Sequence, residues 1–229
     1  MNVDERLVTA IRTGLAELAD PAKAPAMQAY MKSAMPFRGV AKPERSALLK
    51  RVLAAHTLPD RVTFSGTVLK LWRTAEFREE RYAAIDLSGY RAYRRWQDPE
   101  LVPVYEEMIV GGAWWDVVDE VAIRRIGPIL RDHRARMTPI MLAWAHDGDL
   151  WRRRTAIICQ VGAKEDTDTE LLTRAVEPSI AEPEFFLRKG IGWALRDYAK
   201  TAPNWVRCFV DDHPGLSGLS RREALKHIG

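Results

Sequence analysis

Apolar side chains recur at helical spacing from the first residues onward. Leu7, Ile11, Leu15 and Leu18 fall at i, i+4, i+8 and i+11, one stripe of an amphipathic helix. Leu48, Leu49, Val52 and Leu53 continue the pattern behind Pro43, which suits a first helical turn, and Leu58, Pro59 and Asp60 punctuate the exit. The same periodicity predicts helices near 62–73, 76–88, 98–110, 114–126, 135–146, 150–161, 168–176, 184–200, 204–211 and 220–228. Strand-type alternation is nearly absent.

Short helices separated by turns such as Asp147-Gly148-Asp149 and Ala202-Pro203-Asn204 cannot each bury an apolar stripe alone, so they must stack in pairs. The expected fold is therefore all-α: an α-solenoid of HEAT-like helical pairs whose stacking curves to give a concave face. No fixed-period signature is present, which disfavours regular tetratricopeptide or ankyrin repeats. No linker or low-complexity segment divides the chain, so residues 1–229 are expected to form a single domain.

Composition narrows the class without choosing a function. At 229 residues, 47% hydrophobic and 29% charged, the chain is neither disordered, collagen-like nor a disulfide scaffold. A net charge of +4 permits a polyanionic partner without demanding one. Cys159 and Cys208 lack metal-ligand spacing and read as reduced thiols of a cytoplasmic protein. The five histidines form no His-x-x-x-His pair, so no metal is expected, and no apolar run is long enough for a membrane span.

Three side chains depart from the helical pattern. In EFFLRKGIGWALRDYAK, Leu187, Ile191, Leu195 and Tyr198 form the buried stripe, whereas Trp193 points to the opposite side with Lys189, Arg196 and Lys200. A tryptophan among cations suits a nucleic-acid surface, and it equally suits a second packing face between stacked helices. In LWRRRTAIICQV, Arg154 falls on the stripe of Leu150, Ile157 and Val161. A guanidinium there requires an anion, either a carboxylate of the protein or a ligand phosphate. In GGAWWDVVDE, Trp115 and Asp119 lie one turn apart at the edge of the stripe of Trp114, Val118 and Val121. A carboxylate beside an indole is either structural or suited to stabilising a transient cation.

Together WWDVVDE, LWRRRTAI and EFFLRKGIGWALRDYAK resemble the AlkD-type DNA glycosylases, bacterial HEAT-like-repeat enzymes of DNA alkylation repair. The likeness extends from AMQAYMKSAMPFRGVAKPER through LPD at 58–60 and EEMIVGGAWWDVVD to SRREALKHI, nearly the whole chain. The resemblance implies that Asp119, not Asp116, is the catalytic carboxylate. It implies that Trp115 and Trp193 hold the lesion's sugar and backbone, and that Arg154 is the active-site arginine meeting DNA. Tyr30, Lys189 and Arg196 fall at family-like DNA-facing positions. Arg152 and Arg153 make the central run more basic than the family's pattern, and Phe37-Arg38 also departs from it, which leaves lesion preference open.

What the resemblance implies chemically is monofunctional hydrolysis. Alkylation at purine N3 or N7 makes the base a cationic leaving group, so a carboxylate that stabilises the oxocarbenium-like sugar and handles a water suffices. The expected partner is double-stranded DNA containing alkylated purines, without a metal or organic cofactor and without a membrane. The base need not be flipped into a pocket, and the protein is expected to act as a monomer at the bacterial nucleoid. The rival expectations are a non-catalytic HEAT-like scaffold, a silent binder of distorted DNA, and a specialised glycosylase for bulky natural-product adducts.

Overall fold

The computed structural model describes residues 2–228 and contains no strand among them. Helices and the turns that join them make up two compact units divided between Gln97 and Asp98.

The first unit holds α1 (Glu5–Glu17), α2 (Ala24–Met31), α3 (Lys42–Ala55), α4 (Arg61–Arg73) and α5 (Arg78–Ser88), followed by a 3-10 turn at Arg91–Trp96. Asp4 caps α1 by accepting from the Leu7 N–H, and Asp60 caps α4 by accepting from the Thr63 N–H at 2.7 Å. Leu7, Ile11 and Leu15 are fully buried as the stripe requires, whereas Leu18 lies beyond the last turn and is 38% exposed. Helices pack in the pairs α4 with α5 and α1 with α3. Gly14 lets α3 approach α1, since a Cβ there would lie 2.3 Å from a Leu48 methyl. Glu79 is fully buried, and its carboxylate accepts the backbone N–H groups of Arg38, Gly39 and Val40. The backbone of the Phe37-Arg38 loop is thus tied to α5 through Glu79.

The second unit contains α6 (Val102–Gly112), α7 (Trp115–Val121), α8 (Gly127–Asp132), α9 (Arg134–Ala145), α10 (Leu150–Ile158), α11 (Thr169–Val176), α12 (Phe185–Tyr198), α13 (Pro203–Asp212) and α14 (Gly218–Leu225). Asp149 starts α10 by accepting from the N–H groups of Trp151 and Arg152, and Asp168 starts α11 in the same way. α10 runs through the middle of the unit, in contact with α6, α7, α9, α11 and α12. α12 lies between α10 and α14, and their shared core includes Ile157, Ile158, Leu187, Ile191, Leu195, Val206 and Ala224.

The segment predicted as one helix over 114–126 continues further than expected. α7 passes through a π-helical turn at Ala122–Ile126 directly into α8. Pro128 has no N–H to donate to the carbonyl of Arg124, so the regular ladder cannot run through this point. The Arg125 guanidinium takes that carbonyl instead, at 3.0 Å.

Candidate functional site

α7 begins at Trp115, with Trp114 as its N-cap residue, so the carboxylate of Asp119 projects one turn into the helix. α10 presents Arg154 from its own buried stripe. Nε donates to Asp119 Oδ1 at 2.7 Å and Nη2 donates to Oδ2 at 2.8 Å, a two-pronged pair, while Nη1 donates to the backbone carbonyl of Phe186 at 2.5 Å. The two side chains are 5% and 16% exposed. The carboxylate of the protein is therefore the anion that the misplaced guanidinium demanded. Because both oxygens of Asp119 accept from a cation, the pair holds the ionised form, although burial pushes the carboxyl above the ordinary carboxylate range. Arg154 pulls it down and nearby Asp116 adds to the rise.

Two glycines of α12 admit close neighbours on two sides of the helix. A Cβ at Gly190 would stand 3.2 Å from Arg154 Nη1. A Cβ at Gly192 would strike the Glu223 side chain at 2.5 Å, so α14 lies close against α12 there. Glu223 joins Lys189, at 2.9 Å, and Arg196 in one cluster, and Lys189 holds the Glu223 carboxyl below its usual range. The face opposite the α12 stripe is thus partly a second packing face. Lys189 and Arg196 remain 39% and 26% exposed beside it. Trp193 is half-buried and packs against the core of this unit, so its ring is not free of the fold.

Trp193 and Asp119 line one cleft of about 420 Å³, together with Ile123, Val161 and three further charged residues, Glu120, Arg124 and Asp197. Asp197 accepts from the Gly162 N–H at 2.5 Å and pairs with Lys200 at 2.8 Å, which fixes the turn after α10 where Gly162 adopts φ +84°. Trp115 is half-buried at the start of α7, one turn from Asp119, and is not among the cleft-lining residues. Tyr30 lies on α2 in the first unit and is 73% exposed. The second unit thus holds six of the seven sequence-predicted site residues; Asp119, Arg154 and Trp193 gather at or beneath the cleft, while Lys189 and Arg196 gather at Glu223.

The extra basic residues of α10 are engaged within the protein. Arg152 pairs with Glu106 at 2.7 Å and Asp147 at 3.1 Å. Arg153 bonds to Glu182, Ser179 and the Pro178 carbonyl. Sequence reasoning missed Gly190, Gly192, Glu223 and Asp197. The Gly-Ile-Gly run in α12 was the available signal, since two small residues on two faces announce two close neighbours. Cys159 is buried and its thiol is pushed up to about 12, which makes it an inert core residue.

A family model for the DNA alkylation repair enzyme matches residues 11–228, and the chain belongs to that family. It is similar to a predicted DNA alkylation repair enzyme from Enterococcus faecalis, at 33% identity and a TM-score of 0.83 over 92% of this chain and 97% of that one. Two Streptococcus mutans structures share the fold at 19% identity and a TM-score of 0.60. One is the smu.31 protein, with 79% of this chain and 91% of that chain covered, and the other is AlkD2, with 79% and 88% covered. No curated protein matches the chain by sequence.

Proposed function

We infer that this family member is a DNA glycosylase that hydrolyses the N-glycosidic bond of cationic N3- or N7-alkylated purines in duplex DNA. The observation that carries this reading is Asp119: a desolvated carboxylate, held ionised by Arg154, on a cleft that Trp193 also lines. A fixed negative charge in a partly water-excluded site stabilises a cation more strongly than the same charge in bulk water.

As the C1′–N bond breaks, its electron pair leaves with the alkylpurine, whose positive charge is thereby quenched, and the sugar becomes oxocarbenium-like. Asp119 faces that charge. A water oxygen then bonds to C1′ and gives up a proton, which Asp119 is placed to accept, leaving an abasic site in an uncut strand. Trp193 covers the sugar, Trp115 supports it from the start of α7, and Arg154 acts through Asp119 by fixing both its oxygens. Lys189 and Arg196 meet the backbone, Tyr30 is a further DNA-contacting residue, and the protein acts as a monomer. Selectivity comes from the lability of the charged adduct, so no flipped-base pocket is needed.

The test is incubation of the protein with duplex DNA carrying methylated or bulkier cationic purines, with chromatographic identification of the product. Free alkylpurine and abasic DNA are expected. DNA binding without release above the spontaneous rate would make the protein a silent binder, and absence of both would make it a scaffold.

A further inference from the structure

The cleft at Asp119 poses an electrostatic problem for any DNA strand that enters it. Asp119, Glu120 and Asp197 all line it; Asp119 is paired with Arg154 and Asp197 with Lys200, so neither pair presents net positive charge to a phosphate, and Glu120 adds a further carboxylate. Of the surrounding cations, Arg154 is held by Asp119 and Lys200 by Asp197, while Lys189 and Arg196 are shared with Glu223, for which a DNA strand must compete. Arg124 is different. It lines the same cleft, it is exposed, and among the described residues its side chain makes no hydrogen bond or ion pair.

The backbone accounts for its position. In a regular helix Arg124, five residues beyond Asp119, would be turned about 140° from it. The π-helical turn at Ala122–Ile126 interrupts that register, and Pro128, which cannot donate to the Arg124 carbonyl, follows it in α8. The neighbouring Arg125 is drawn back onto that carbonyl, whereas Arg124 lines the cleft.

We propose that Arg124 binds the DNA phosphate adjoining the nucleotide that Asp119 faces, supplying from the cleft's own lining a cation that no carboxylate among the described residues holds. This rests on the reading of the cleft as a DNA site. Arg124 is a binding and positioning residue: its guanidinium holds the backbone and takes no part in bond breaking. A planar fork with several donors suits two phosphate oxygens, which a lysine cannot match.

The experiment measures binding of the full chain to duplexes containing one tetrahydrofuran abasic analogue. Each flanking phosphate is replaced in turn by an uncharged methylphosphonate, and wild type is compared with Arg124→Ala and Arg124→Lys. On the intact duplex, Arg124→Ala is expected to weaken binding about tenfold and to flatten the log-log salt dependence by about one. At one phosphate beside the abasic position, neutralisation should weaken wild type yet cost Arg124→Ala nothing further. Arg124→Lys should keep the salt slope while recovering only part of the affinity. Independent, multiplicative losses at every phosphate, or an unchanged salt slope, would overturn the proposal. Thermal melts confirm that the variants fold, and Arg124→Lys carries the comparison if Arg124→Ala does not. Because the readout is binding, coupling in a protein that releases no base would refute only the glycosylase reading. Base release without coupling would refute only the role of Arg124.

Discussion

Arg154 and Asp119 are joined by two parallel hydrogen bonds at 2.7 and 2.8 Å, and a third from Arg154 to the Phe186 carbonyl ties the pair to α12. The guanidinium fixes both carboxylate oxygens, so the direction and ionisation of Asp119 depend on a residue from another helix. Buried ion pairs of this kind add little net stability when intact and cost much when half is removed.

Arg154→Ala should therefore destabilise the protein by about 3–5 kcal/mol, because an unpaired carboxylate would be left in a desolvated position. Arg154→Lys keeps the charge but loses the fork, and should melt closer to wild type while releasing base far more slowly. Thermal melts and single-turnover rates on the same preparations check both halves. A Lys variant with wild-type rates would show that the two-pronged geometry is dispensable.

The Glu223 cluster offers a test with the opposite sign. If Lys189 and Arg196 meet phosphates, Glu223 competes with DNA for them. Glu223→Gln should then tighten DNA binding at low salt, while Lys189→Ala and Arg196→Ala should each flatten the salt slope by about one. The stability change should stay within about 1 kcal/mol, as for other partly exposed pairs. Because the Glu223 carboxyl is held low, the pair's stabilisation is present above the ordinary glutamate range and is lost as pH falls through the lowered value. Weaker DNA binding by Glu223→Gln would place the DNA elsewhere.

The helical pattern was legible wherever a stripe meets a core and a cap marks its start. α4 behind Asp60, α10 behind Asp149 and the buried Leu187, Ile191 and Leu195 of α12 follow the periodicity closely. α2 was not legible, because none of its residues is buried and it leaves no apolar stripe. The run through Gly127 and Pro128 was also hidden, since proline ordinarily ends a helix and here only shifts its register. At the site, Arg154 announced itself by needing an anion, but periodicity could not say that the anion is Asp119, which is 35 residues away. The two-sided packing of α12 depends on α14, another distant segment.

Acid should impair the reaction. Burial and Asp116 raise the Asp119 carboxyl, so it gains its proton at a higher pH than an exposed aspartate, and bound phosphates push the same way. Base release, corrected for spontaneous depurination, should fall with decreasing pH through a midpoint above 3.8. The stability linkage has its own sign: a raised carboxyl favours the folded state below the unfolded value, and this contribution is lost as pH rises through the folded one. A midpoint at or below 3.8 would show that the carboxylate is not desolvated in the working state.

Trp193 packs on the core as well as lining the cleft, so Trp193→Ala should lower stability by about 1–3 kcal/mol, less than a fully buried tryptophan would cost. Trp193→Phe should keep most of the stability. Both should slow release of N7-methylguanine and of a bulkier cationic purine to similar extents, and hypoxanthine should resist wild type and variants alike. Efficient hypoxanthine release with rejection of the bulky cation would indicate recognition in a base pocket.

The central claim is that Asp119 stabilises charge in the reaction while the rest of the surface holds DNA. The most direct measurement is single-turnover release of N7-methylguanine by wild type, Asp119→Asn and Asp116→Asn, with DNA affinity measured on each protein. Asp119→Asn is expected to bind DNA nearly as well as wild type and to release base about 10²-fold more slowly, with Asp116→Asn much less affected. Release by Asp119→Asn at the wild-type rate, or a larger loss at Asp116, would contradict the assignment.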